Sequence, residues 1–105
     1  MKTYNKLVRD KIPQIIEASG KQYTVRVMDE TEYAIALKTK MQEELNEFLE
    51  ASEEHQMGEL ADLLEVVYSF AFSKGVRVEE LEGIRQGKCD ERGGFLNRIL
   101  LVSSE

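Results

Sequence analysis

Glu43-Glu44-Leu45-Asn46-Glu47 and, after eleven intervening residues, Glu59-Leu60-Ala61-Asp62 are the stretches whose reading decides the fold. Each lies in a segment with helical periodicity. Residues three or four apart share a helix face, so Glu44 and Glu47 are neighbours on one helix and Glu59 and Asp62 on the next. The polar run Ser52-Glu53-Glu54-His55 between them predicts a turn, which folds the two helices into an antiparallel hairpin. In such a hairpin, positions with equal index sums stand at one height, as 44 does with 62 and 47 with 59. Four carboxylates should therefore converge about two turns from the loop.

A Glu-rich helix face is ordinarily a solvated surface. Here the helical wheel argues otherwise. At about 100° per residue, Glu44 falls between Ala51 on one side and Leu37 and Phe48 on the other. Glu59 falls between Val66 on one side and Phe70 and Leu63 on the other. Like charges gathered at an apolar seam repel, and a bound cation resolves the conflict. Hard oxygen ligands without Cys or His suit Mg²⁺, with Mn²⁺ as a substitute. Glu43 points about 100° away from Glu44 and ranks below the four as a direct ligand. A di-iron carboxylate bundle needs Glu-x-x-His on two helices, and this chain has one histidine, His55, which falls in the turn.

Working outward, Asp10 to Ser19 predicts a short helix, with Asp10 as its cap, Pro13 in the first turn and Gly20 as its stop. Tyr23 to Met28 alternates in the manner of a strand. Asp29 opens a long helix reaching about Ala51, with Glu32 in a capping-box arrangement. The second long helix runs from Gln56 to Lys74 and stops at Gly75. A charged helical segment spans Val78 to Glu91 and is broken by Gly93-Gly94. The tail, Phe95 to Val102, is apolar and β-branched enough for a short strand that pairs with 23–28. The expected fold is all-α: a helical hairpin in a single domain over 1–105, with short extended segments near 23–28 and 95–102.

Leu60, Leu63, Leu64, Val66, Val67 and Phe70 occupy most of the second helix's circumference. A helix apolar nearly all round must be buried on several sides, so the hairpin should dimerise into a four-helix-bundle core. At 105 residues the chain has room for one domain. With 32% charged residues and a net charge of −6, it lacks the basic stripe that a DNA or RNA duplex binder needs. Cys89 is the only cysteine, so no intrachain disulfide forms, as in a reducing compartment. Met1 to Asp10 carries no apolar signal region, and no apolar run is long enough to cross a bilayer. The expected location is cytoplasmic, away from membranes.

Glu-Glu-x-x-Glu followed by Glu-x-x-Asp resembles the signature of the MazG-like all-α nucleoside triphosphate pyrophosphohydrolases. Tyr4-Asn-Lys-Leu-Val-Arg-Asp-Lys-Ile-Pro13 and Arg92-Gly-Gly-Phe95 look like its small phosphoribosyl-ATP-pyrophosphohydrolase-like branch. The resemblance implies cleavage between the α- and β-phosphates of a nucleotide, giving a monophosphate and pyrophosphate. It implies Mg²⁺ on Glu44, Glu47, Glu59 and Asp62, and attack by water with Glu43 or Glu47 as base. The chain departs from the longer enzymes in having one hairpin, whereas the family usually builds its four-helix core from two chains. A homodimer, or a dimer of dimers, is thus expected.

Phosphates need further cations. Lys6, Arg9 and Lys11 cluster before the first helix, and Lys88, Arg92 and Arg98 surround the glycine break. The resemblance favours Arg9, Lys11 and Arg92 for substrate binding, with Lys88 beside them. Phe95 is a candidate for stacking on a base, against a place in the core. The expected substrate is a non-standard or surplus nucleoside triphosphate, a house-cleaning role. Phosphoribosyl-ATP of histidine biosynthesis is the alternative within the class, and a non-catalytic helical interaction protein is the alternative outside it.

Overall fold

The computed structural model describes residues 2–105. Helix α1 (Ile12–Ala18) is followed by α2 (Glu30–Glu50), a single 3₁₀ turn (Glu53–His55), α3 (Gln56–Ser73) and α4 (Val78–Arg92). The described residues contain no strand, so the all-α expectation holds.

The helix ends follow from local chemistry. The Asp29 carboxylate accepts the Glu32 backbone N–H at 2.8 Å, which satisfies one of the first-turn donors of α2. The reciprocal half of the capping box is not made. Glu32 instead receives both guanidinium nitrogens of Arg26. At the far end of α3, Gly75 takes φ +79°, a conformation costly for a side-chain-bearing residue. Its N–H donates to the Phe72 carbonyl and that of Val76 to the Ala71 carbonyl, closing a Schellman motif.

Helices α2 and α3 form the hairpin and make the main tertiary contact, while α4 touches only α3 and α1 packs on no other helix. The Ser52 hydroxyl and His55 Nδ1 stand 2.9 Å apart in the connection. Among the described residues only Leu37 (2% exposed), Val66 (8%) and Glu44 (7%) are buried. Leu37 and Glu44 are seven apart on α2, and Glu59, Asp62, Leu63 and Val66 step along α3 at helical spacing. The carboxylates thus belong to the stripe that packs the two helices together.

Three expectations are corrected. Asp10 does not cap the first helix, which begins at Ile12 after Lys11 with no side-chain cap bond. The segment 23–28 forms no ladder, and its described polar link is the Arg26–Glu32 pair. The tail 95–102 is no strand either. Gly93 and Arg98 hold positive φ, and the Arg98 N–H bonds back to the Phe95 carbonyl, which turns the chain where a strand would extend. Alternation alone does not make a strand when no second strand is aligned beside it.

The chain exposes 9581 Å², against about 6,000 Å² for a compact monomer of its mass. Its radius of gyration is 18.1 Å, against about 13 Å for a compact domain of this length. Leu60 and Leu64 on α3, and Leu49 and Met57 near the turn, remain exposed. The other helices of the chain therefore do not cover α3 on all sides.

With so few buried side chains, each weighs heavily. Leu37→Ala is expected to cost about 2–5 kcal/mol, read as a lower urea midpoint. Val27→Ala, at a fully exposed site, should stay within about 0.5 kcal/mol of the parent.

Candidate functional site

The hairpin register brings acidic oxygens from both helices together. One oxygen each from Glu44, Glu59 and Asp62 lies within 4.8 Å of the others. The same holds for Glu43, Glu44 and Glu47. The single level expected from the sequence is instead two triads sharing Glu44: Glu59 and Asp62 meet it across the turn, while Glu47 groups with Glu43 and Glu44 on its own helix and not with Glu59. Glu43 comes closer than the wheel angle suggested, and two cations flank its carboxylate. Lys6 Nζ lies 3.5 Å and Lys40 Nζ 3.4 Å from its Oε1.

Glu44 is the hub. Burial is the main cause that raises its pKa above the ordinary 4.5, followed by the adjoining Glu47 carboxyl; the Asp62 charge adds to this and Lys40, 3.6 Å away, opposes it. Its Oε2 and that of Glu59 are buried without a hydrogen-bond partner. An unpaired buried carboxylate oxygen is costly. A hard cation would satisfy such oxygens, and a donor set made only of carboxylates fits Mg²⁺ by ligand type. Glu44, Glu47, Glu59 and Asp62 are the residues that could hold it, with Glu43 alongside.

Arg9 reaches this cluster from before α1, its Nη2 donating to Asp62 Oδ1 at 2.8 Å. The other basic candidates differ. No described hydrogen bond or ion pair joins Lys11, Lys88 or Arg92 to the carboxylates. Phe95 is 96% exposed, so it is not core. Sequence reasoning passed over Lys40, although its spacing of three and four from Glu43 and Glu44 was a readable signal. It placed Lys6 among the basic residues without a partner, since nothing local links residue 6 to residue 43.

The phosphoribosyl-ATP pyrophosphohydrolase family matches residues 1–86. The chain belongs to this family. The matched span includes both acidic stretches and the N-terminal segment that carries Arg9. The family falls within the MazG-like all-α nucleoside triphosphate pyrophosphohydrolases. An uncharacterized protein of Mycolicibacterium smegmatis is 46% identical over 41 residues, which are 39% of this chain and 42% of that protein. The chain thus spans less than half the length of that relative. No solved structure matches. No helix among the described residues is long and apolar enough to cross a membrane.

The raised Glu44 pKa gives a signed pH effect. Stability tied to its neutral form is fully present below pH 4.5 and is lost as pH rises through the raised folded-state value. Glu44→Gln removes that loss. In EDTA the variant should match the parent below pH 4.5 and exceed it at neutral pH, as checked by urea denaturation at both.

Proposed function

We propose that the protein hydrolyses a nucleoside triphosphate, non-standard or surplus, to the monophosphate and pyrophosphate, with Mg²⁺ held by Glu44, Glu47, Glu59 and Asp62. The observation that carries this reading is the buried, unpartnered Oε2 of Glu44 and of Glu59 within a two-helix carboxylate cluster, in a chain of this family. When bound, Mg²⁺ supplies charge neutralisation to the phosphate chain and acidity to water, with Mn²⁺ as a substitute.

The residues divide the remaining work. Glu43 or Glu47 accepts the proton of the attacking water. Glu47 is exposed, whereas Glu43 is half-buried beside Lys6 and Lys40. Arg9 and Lys11 offer positive charge to the phosphates at one end of the sequence, Lys88 and Arg92 at the other. Phe95, fully exposed, is free to stack on a base. Phosphoribosyl-ATP is the alternative substrate, and no feature of the site favours it. The place of action in this reading is the cytoplasm.

The reading includes a homodimer or a dimer of dimers. Surface in excess of a compact monomer by roughly 3,500 Å² is ample for an obligate interface, which typically buries about 2,000–5,000 Å² in total. The exposed Leu60 and Leu64 of α3 and Leu49 and Met57 by the turn supply its apolar centre.

Two measurements test this. A screen of nucleoside triphosphates should release pyrophosphate only with Mg²⁺ or Mn²⁺ and stop in EDTA, and Glu44→Gln and Asp62→Asn should each abolish release while remaining folded. Full activity in either variant would remove these residues as ligands. For assembly, sedimentation equilibrium should give a multiple of the 12.1 kDa chain mass. Leu64→Lys, at a side chain 46% exposed in the single chain, should dissociate the assembly and reduce activity together. A fully active 12.1 kDa monomer would overturn it.

A further inference from the structure

The segment before α1 is irregular, and α1 itself packs on no other helix. Among the described residues its polar links to the hairpin are two ion pairs, and both end on carboxylates of the cluster. Arg9 Nη2 lies 2.8 Å from Asp62 Oδ1, and Lys6 Nζ lies 3.5 Å from Glu43 Oε1. Residues 2–11 are thus an arm moored to the site by the site's own charge. The acidic cluster is not merely a run of surface glutamates, because Glu44 is 7% exposed and its Oε2 has no partner.

A divalent cation among Glu44, Glu59 and Asp62 brings two positive charges next to the Arg9 guanidinium. Like charges at that separation repel, and both draw on the same carboxylate. We infer that Arg9 is the exchangeable counter-ion of the ion-free site: it neutralises Asp62 until a divalent cation arrives, leaves that carboxylate, and then binds the phosphate chain. This deepens the proposed function and rests on its ion site. One side chain serves two anions in turn, so cation loading frees a phosphate-binding group. Lys6 at Glu43 keeps the arm near the site during the exchange, while Lys40, fixed on α2, stays beside Glu43 and Glu44.

The exchange predicts opposite effects of one substitution, read by calorimetry at physiological salt. The probes are Mg²⁺ alone and inorganic tripolyphosphate in saturating Mg²⁺. Arg9→Ala should bind Mg²⁺ alone about two- to fivefold more tightly, the scale of a solvent-exposed ion pair, and should bind tripolyphosphate more weakly. Arg9→Gln, which keeps a long polar side chain without the charge, should behave likewise. Lys21→Ala removes the same charge away from the site and should change neither affinity. Unchanged or weaker Mg²⁺ binding in both Arg9 variants, or retained tripolyphosphate affinity, would overturn the exchange while leaving the ion site standing. A parent protein that binds no divalent cation would overturn the ion site, and the exchange with it.

Discussion

Glu44 sits where a helix pair would ordinarily place another leucine. It follows Leu37 by two helical turns on the same face, and it is buried against the stripe of α3 that contains Glu59, Asp62 and Val66. A carboxylate in that position loses hydration and gains like-charged neighbours. The architecture around it reduces this cost in part. Lys40 approaches from one turn earlier on α2, and Arg9 and Lys6 are brought in from the start of the chain. None of them reaches the second oxygen of Glu44 or of Glu59. The seam therefore balances packing against charge, and a ligand can tip that balance.

The same constraint explains why the core is so small. Positions that might have extended an apolar interface carry acid instead, leaving Leu37 and Val66 as the buried apolar side chains among the described residues. Apolar surface persists on α3 and beside the turn. A sequence that placed charge in the seam and leucines outside it gives up internal packing for a site and a face that a second chain could cover. Local instability near functional groups is common where geometry must serve chemistry.

Most of the hairpin was legible because its signals are short-range. Asp29 followed by Glu32 marks the start of α2, Gly75 the end of α3, and the spacing of Glu44, Glu59 and Asp62 sets which carboxylates meet across the turn. Features that depend on distant partners were not legible. Nothing near Arg9 in sequence announces Asp62, and nothing near Lys6 announces Glu43. The tail 95–102 misled for the same reason. Its apolar residues met the compositional rule for a strand, but a strand exists only beside another, and Gly93 and Arg98 set a turning backbone instead. Glu32 shows how a local rule can be half kept: it donates its N–H to the cap, while its carboxylate turns to Arg26.

The connection between α2 and α3 is a single 3₁₀ turn, and this brevity bears on how the protein folds. Closing so short a loop costs little chain entropy, and contacts near in sequence form early and fast. The carboxylates lie close to that loop, so a hairpin that closes early would bring them together early. In that order of events their repulsion would act on the rate at which the hairpin closes as well as on the equilibrium afterwards. Dissolved salt screens such repulsion and should hasten closure, which would make the ionic strength in which the chain is made part of its folding pathway.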